Sequence, residues 1–187
     1  PADDDVIIGA VNTLRRAQQA DGCWGFATSG PCDIDSTAAV LIALHETGAS
    51  LNDGAIAQGR AYLARNQNSD GGFGFQIGQA SNSATTAWVV WSHRTFGIRD
   101  ERAEAYLASL KLSDGSYRWR SQDTIGSKLI TAYIAIALSV PIYAPPIPSP
   151  TPIPVTMVPT VINTPLSPVV VVPSPSALWA WEVRNLR

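Results

Sequence analysis

The sequence predicts an all-α protein built from three helical hairpins, and two observations support this fold class. A segment with Asp-Gly followed by an aromatic residue occurs three times, and a Thr-Ala segment recurs in step with it. The stretches between these segments carry apolar residues at helical spacing. A unit that recurs in this way is typical of a repeat architecture. The predicted hairpins lie at residues 6–47, 54–96 and 101–140, within a repeat domain of residues 1–140, and a separate Pro-rich segment occupies 141–187.

The first helix of each hairpin is predicted to be amphipathic. Charged side chains such as Arg15, Arg60 and Glu104 supply a solvated face, while apolar residues supply the opposite face. A leucine precedes the following Gln or Lys by four residues in each copy, which aligns the three repeats. The leucines are Leu14, Leu63 and Leu107, in helices predicted at residues 6–19, 54–66 and 101–111.

A glycine-rich and aromatic segment follows each amphipathic helix. Its three copies read QQADGCWGF, QNSDGGFGF and KLSDGSYRW, and they start at Gln18, Gln67 and Lys111. Glycine accepts the left-handed backbone that ends a helix, so we expect the Asp-Gly pairs to stop these helices. The aromatic residues can then fold back and fill the gap between neighbouring hairpins. The predicted staples are Trp24, Phe26, Phe73, Phe75, Tyr117 and Trp119.

The second helix of each hairpin is expected to be buried on most sides, since its residues are nearly all apolar or small. Gly48 and Gly97 close the first two copies, and Pro141 closes the third. The second helices are predicted at residues 37–47, 84–96 and 127–140, with their Thr-Ala pairs at Thr37, Thr86 and Thr131.

Within the glycine-rich segments, Gln, Gly and an aromatic residue recur at a fixed spacing. Gln18, Gly22 and Trp24 resemble the QW motif of the prenyltransferase and squalene-oxidase repeat superfamily, whose members form α/α-toroids. The second copy has Phe73 in place of Trp, and the third has Lys111 in place of Gln. The resemblance covers residues 6–140 and implies about half a toroid. Because the superfamily includes triterpene cyclases, protein prenyltransferase subunits, complement thioester domains and cobalamin carriers, it does not by itself assign a function.

Two aspartates precede the second helix of the first hairpin. The segment CDIDSTA at residues 32–38 resembles the DxDDTA acid motif of class II triterpene cyclases. The resemblance implies Asp35 as a general acid and Asp33 as its helper, although Ser36 replaces the third acid. Polar side chains at the start of a helix also cap its free amides and complement its dipole. The aligned copies retain capping residues but no acid pair, so we favour capping and expect no catalytic residue.

The chain has two cysteines, Cys23 and Cys32, at the two ends of the loop CWGFATSGPC. An even number of cysteines in an exported chain suggests a disulfide, with two unpaired core thiols as the alternative. The sequence starts at Pro1 without an initiator Met, as a processed secreted protein would. We therefore expect an extracellular or cell-surface location.

Composition narrows the function classes further. The formal net charge is −2 and no basic cluster occurs, which argues against nucleic-acid binding. The longest apolar run, residues 129–140, is about a dozen residues, against the roughly 20 that a membrane-spanning helix needs. His45 and His93 are far apart in the sequence. We accordingly expect no transmembrane segment, no metal site and no cofactor.

The last segment, residues 141–187, is rich in proline and valine and carries no charge through residue 181. An extended Pro-rich chain loses less entropy on docking than a flexible one. Exposed valine and tryptophan side chains would favour aggregation, so we expect a neighbouring subunit to cover them. The predicted docking residues are Val169, Val170, Val171, Val172, Trp179 and Trp181.

These patterns favour a non-catalytic, secreted structural protein that forms a homo-oligomer or a polymer, such as a filament, through its C-terminal segment. One alternative is a class II terpene-cyclase-like enzyme, or a fragment of one, with Asp35 as the acid. Another is a ligand-binding module displayed on a stalk at a cell surface. The alternatives differ in whether a reaction occurs and in whether residues 141–187 are bound.

Overall fold

The computed structural model describes residues 2–142, with side chains from Asp5 onward. The predicted docking residues Val169 to Val172, Trp179 and Trp181 therefore lie outside the described residues. Across residues 2–142 the chain is all-α and contains no strand, which confirms the predicted fold class. The six helices are α1 (Ala2–Arg16), α2 (Ile34–Glu46), α3 (Gly54–Arg65), α4 (Ser83–Thr95), α5 (Glu101–Ser109) and α6 (Lys128–Ser139).

The helices form two layers. α4 lies between α2 and α6, so the second helices of the three hairpins pack side by side as an inner layer. α3 packs against α2 and α5 against α4, on the outer side. Large side chains from successive repeats fill the space between the layers, among them Trp24, Tyr62, Phe73, Leu107 and Ile134.

The prediction that all three second helices are buried on most sides is wrong for α6. Leu129 is 58% exposed, and Ile136 is exposed as well. α6 packs against α4 on one side, and the described residues provide no further inner helix on its other side. α6 therefore has more apolar side chains than its neighbours in the described residues cover.

Caps define the starts of all three inner helices and the ends of α2 and α4. Asp33, Asn82 and Ser127 each accept a hydrogen bond from the amide three residues ahead, at the starts of α2, α4 and α6. Gly48 and Gly97 have positive φ values of 100° and 72° just after α2 and α4. They end these helices as the sequence predicts, because the left-handed backbone lets following amides bond to the last carbonyls.

A buried threonine ties each glycine-rich turn to the inner helix that follows it. The Thr86 hydroxyl accepts a hydrogen bond from the Phe73 amide (2.9 Å) and donates one to the Asn82 carbonyl (2.7 Å). Thr37 makes the equivalent bonds with Trp24 and Asp33, and Thr131 makes them with Tyr117 and Ser127. The recurring threonine of the Thr-Ala segments is thus a structural link between two parts of the same repeat.

The expectation that the Asp-Gly pairs stop the outer helices is wrong. α3 ends at Arg65, with Asn66 as its cap, and Gly71 lies in a separate turn further along the chain. In that turn the Gly71 amide donates to the Asn68 carbonyl at 3.0 Å, and φ of Gly71 is 87°. The positive φ was expected, but it belongs to a tight turn and not to the end of a helix.

Only the first aromatic residue of each predicted pair acts as a staple. Trp24 and Phe73 are buried and Tyr117 is half-buried. The second aromatic residue of each pair is exposed, so the two residues of a pair do not share one environment. The prediction is therefore wrong for the second aromatic residues, which are Phe26 (95% exposed), Phe75 (41%) and Trp119 (44%).

Replacing Thr86 by Val should destabilise the fold by about 1–3 kcal/mol, because the isosteric side chain leaves the buried Phe73 amide without its acceptor. Thr131→Val is the matched control: it removes the same two bonds beside the half-buried Tyr117, where water can take their place, so its effect should be smaller. Urea unfolding curves of the two variants measure the difference. Equal destabilisation by both would contradict the argument from burial.

Candidate functional site

The turn of each of the first two repeats packs closely on the outer helix of the next hairpin. A Cβ atom added at Gly22 would lie 2.7 Å from the Gln58 carbonyl oxygen of α3. One added at Gly71 would lie 2.6 Å from the Arg102 carbonyl oxygen of α5. Only glycine allows this approach of two backbones. We call these contacts joint 1 and joint 2.

The glutamine of the turn bonds across each joint. Gln18 Nε2 donates to the Gly22 carbonyl within its own turn and to the Ala55 carbonyl in the first turn of α3, both at 2.9 Å. Gln67 Nε2 donates to the Gly71 carbonyl at 2.9 Å and to the Asp100 carboxylate at 3.1 Å. The Gln and Gly of the QW-like motif therefore act together, as parts of a contact between hairpins.

Further polar contacts reinforce joint 1. Arg15 of α1 donates two hydrogen bonds to the Asp53 carboxylate, at 3.1 and 2.7 Å, and Asp53 also caps α3. Arg65 of α3 donates to the Asp21 carbonyl of the turn at 2.7 Å. Both ends of α3 are thus fastened to the first hairpin.

The turn of the third repeat has no such neighbour among the described residues. φ of Gly115 is 86°, as in the other turns, but no atom of the described chain lies within 4 Å of a Cβ added there. Lys111 occupies the position of the joint glutamines and is exposed. Together with the half-buried Tyr117, these residues form a surface that we call the open edge.

Exposed apolar side chains also occur on α6 and in the loop that precedes it. Leu129 and Ile136 project from α6, and Ile125 in the preceding loop is also exposed. On the inner layer, Trp88 stacks on Trp91 with their ring centroids 5.2 Å apart, and Tyr133 lies 6.1 Å from Trp88. These three aromatic side chains pack against the core and are only partly covered.

Asp33 occupies the capping position of α2 and is buried. Its carboxylate accepts a hydrogen bond from the Ser36 amide at 2.6 Å. The equivalent residues of the next repeats, Asn82 and Ser127, cap α4 and α6 in the same manner. The shared role of three chemically different side chains supports the capping interpretation for Asp33.

Asp35 does not cap the helix, because α2 begins at Ile34 and places Asp35 inside its first turn. Burial raises the pKa of Asp35; a hydrogen bond from the Thr85 side chain opposes this shift, and the charge of Asp33 adds to it. Its Oδ1 atom is buried and has no hydrogen-bond partner within residues 2–142. The two acids therefore have different roles: Asp33 caps α2, and Asp35 is a partly desolvated carboxyl inside the helix.

The two histidines lie in separate environments. His93 of α4 lies 3.4 Å from the Asp100 carboxylate at the start of α5, in the same polar cluster as Gln67. His45 makes an edge contact with Phe96, with 4.8 Å between the ring centroids. No group of three metal-ligating side chains occurs in the described part of the chain.

Cys23 and Cys32 are joined as a disulfide, with 5.8 Å between their Cα atoms. The bond closes the loop that leads from the first turn to α2. The pairing is the one predicted from the sequence, and the alternative of two unpaired thiols is excluded in this structure.

Comparison with known proteins supports the family assignment. A family model described as the squalene-hopene cyclase C-terminal domain matches residues 1–93, about half of the chain. No curated protein matches the sequence. A solved structure of Candida albicans protein geranylgeranyltransferase-I complexed with GGPP is similar, with a TM-score of 0.58 at 15% sequence identity. The similarity covers 72% of this chain and 43% of the other.

The chain belongs to the prenyltransferase and squalene-oxidase repeat superfamily. The solved structure shares the α/α-toroid fold, and at this identity the likeness concerns the fold alone. This superfamily member spans less than half the length of the solved chain that it resembles. Among residues 2–142, no helix is long and apolar enough to cross a membrane.

The sequence predicts that half a toroid leaves an edge open, but the residues of that edge were not singled out, although a signal for them exists. In the third copy of the superfamily motif, Lys111 replaces Gln and Tyr117 replaces Trp. This departure looks like the decay of a repeat. Both replacements lie where joints 1 and 2 have a neighbouring hairpin and where, within residues 2–142, the third repeat has none.

Asp35 and Asp53 should titrate on opposite sides of the ordinary aspartate pKa. Burial raises the pKa of Asp35, whereas the hydrogen bond from Arg15 lowers the pKa of Asp53. Carboxyl carbon chemical shifts followed by NMR as a function of pH measure both. Arg15→Gln should move the Asp53 midpoint upward and leave that of Asp35 unchanged. An Asp35 midpoint below that of Asp53 would refute the assignment.

The sign of the Asp35 shift also sets a dependence of stability on pH. A carboxyl with a raised pKa binds its proton more tightly in the folded state, so its contribution to stability falls as pH rises from the unfolded to the folded value. The free energy of unfolding of Asp35→Asn, relative to that of the unaltered chain, should therefore be higher at pH 7 than at pH 3. Urea unfolding at the two pH values tests this.

Proposed function

We propose that the chain is a non-catalytic, extracellular building block that associates with further polypeptide across the open edge of its third hairpin. One observation carries the proposal. Gly115 keeps the positive φ that the turn glycines of joints 1 and 2 have, yet no outer helix of the described residues packs on it as α3 packs on Gly22 and α5 on Gly71. A surface shaped for a hairpin contact, with exposed Leu129 and Ile136 beside it, suits association.

The extracellular part of the proposal is supported by the Cys23–Cys32 disulfide. Disulfides persist in oxidising compartments and are rare in the cytosol. The composition agrees with this setting, since these two cysteines are the only ones in the sequence and both are used in the bond.

The C-terminal segment, residues 141–187, is proposed to dock on a neighbouring subunit. The support comes from the sequence: it lacks charge through residue 181 and contains four consecutive valines and a pair of tryptophans. Covering such side chains contributes roughly 25 cal/mol per Å² of apolar surface. The partly covered aromatic cluster of Trp88, Trp91 and Tyr133 offers apolar surface of the same kind.

The absence of catalysis is supported by the acidic pair. Asp33 is engaged as a helix cap, and Ser36 stands where the cyclase acid motif has its third carboxylate. The helper role that the resemblance implied for Asp33 is thereby replaced by a backbone contact.

Light scattering of the purified 187-residue chain over a range of concentrations tests the proposal. The weight-average mass should rise with concentration, and deletion of residues 143–187 should lower it if the C-terminal segment takes part. A chain that stays monomeric at all concentrations would contradict association. Negative-stain images would separate fibres from stalked particles, which the ligand-binding alternative requires.

A second candidate function is acid catalysis on an isoprenoid, with Asp35 as the proton donor. Burial raises the pKa of Asp35, as a general acid requires, and Trp88, Trp91 and Tyr133 could stabilise a carbocation. The similar solved structure of Candida albicans protein geranylgeranyltransferase-I was determined in complex with GGPP. Incubation with squalene or an epoxide of it should then yield cyclic products that disappear in Asp35→Asn. The non-catalytic proposal expects no product from either protein.

A further inference from the structure

We infer that the open edge binds helix α1 of a second copy of this chain, so that the joint between neighbouring hairpins recurs between molecules. The inference rests on the proposed assembly function and names its partner. It follows from the register of the repeats: α1 is the same element as α3 and α5, which are the helices that occupy joints 1 and 2.

Alignment on Leu14, Leu63 and Leu107 shows which residues of α1 would enter such a joint. Gln58 and Arg102, which contact the turn glycines, both lie five residues before their leucine. The equivalent residue of α1 is Gly9, and no atom lies within 4 Å of a Cβ added there. The contact position of α1 is thus uncovered in the described structure.

α1 also has the small residue on which a staple rests. In joint 1 a Cβ added at Gly59 would lie 2.9 Å from the Trp24 ring, so a small residue is needed beneath the aromatic side chain. The equivalent residue of α5 is the buried Ala103, and that of α1 is Ala10, which is exposed. Tyr117, which is only half-buried in its own molecule, fits on Ala10 of a second copy.

Two further residues of α1 match the residues of α3 that form joint 1, one of them apolar and the other charged. Ile56 of α3 is 0% exposed in joint 1, whereas Ile7, its equivalent in α1, is 49% exposed. Arg65 donates to the Asp21 carbonyl of the turn in joint 1. Its equivalent in α1 is Arg16, an exposed side chain placed to donate to the Asp114 carbonyl of a second copy.

Charge complementarity replaces the bond that the glutamine makes. Gln18 and Gln67 reach the start of the next outer helix, and Lys111 holds their position at the open edge. The sequence of α1 begins with three consecutive aspartates, residues 3–5. In the register above, Val6 is the equivalent of Ala55 and directly follows these aspartates, so a lysine at the open edge favours α1 over α3, whose first turn has no acidic residue.

A contact between the open edge of one molecule and α1 of the next joins two different surfaces. Such heterologous contacts leave one free edge at each end and propagate into a filament unless the rotation closes a ring. Leu129 and Ile136 of α6 are exposed, and in such an assembly α6 would pack beside the inner helix of the neighbouring copy, as α4 packs on α2.

Two variants of the full 187-residue chain test the inference by light scattering. Ala10→Arg fills the seat of Tyr117 and should weaken association about 30-fold, as expected for loss of a central contact. Asn12→Arg is the matched control: it adds the same charge to α1 at an exposed position whose equivalent, Ala61, is exposed in joint 1, and it should associate like the unaltered chain. Circular dichroism checks that both variants keep their helices.

A mixing experiment tests whether the contact joins two different surfaces, the open edge of one molecule and α1 of another. Lys111→Glu repels the acidic start of α1 and damages the open edge, whereas Ala10→Arg damages α1. Each variant alone should be mostly monomeric, and an equimolar mixture should form a one-to-one dimer through the two intact surfaces.

The outcomes separate this inference from the proposed function. If Ala10→Arg assembles like the unaltered chain, the inference is wrong and the assembly proposal stands. Loss of assembly on deletion of residues 143–187, with Ala10→Arg unaffected, would identify the C-terminal segment as the occupant of the edge instead. If the unaltered chain stays monomeric throughout, both the inference and the proposed function are wrong.

Discussion

The architecture depends on a threonine hydroxyl that bonds to two segments of the chain at once. In every repeat it accepts from the amide of the staple residue and donates to the carbonyl of the capping residue. These bonds hold the aromatic ring over the next hairpin and fix the first turn of the inner helix. The close approach of Gly22 to α3 and of Gly71 to α5 requires turns positioned in this way.

The hairpins and helix classes were predictable because they follow from recurrence and periodicity, which are properties of the sequence itself. The structural role of Gly71 was not predictable, because a glycine in a tight turn and a glycine at a helix end both need a positive φ. Phe26 shows another limit of prediction from sequence. Both Phe26 and Trp24 are aromatic residues of the same turn, yet Trp24 is buried and Phe26 is exposed.

Some features of the candidate site could also be predicted from the sequence, and others could not. Capping by Asp33 could be predicted because it requires only a polar residue before a helix. The pKa of Asp35 depends on burial and on a hydrogen bond from Thr85 of α4, which is distant in sequence, so its direction required the structure. The open edge depends on a neighbour that the third turn does not have among the described residues. Absence of a contact leaves only a faint trace in sequence, here the change of Gln to Lys at position 111.

The disulfide gives the repeat array a direction along which it comes apart. In repeat proteins each unit is held chiefly by its neighbours, so stability is a sum over units and interfaces. In the described residues α6 packs extensively on α4, whereas α1 packs on no other helix to a comparable extent and is held by the ion pair of Arg15 with Asp53. The Cys23–Cys32 disulfide lies directly after α1, between the first turn and α2. Thermal fraying of a lone molecule is therefore expected to start at α1, and the disulfide keeps the first turn attached to α2 after α1 has unfolded.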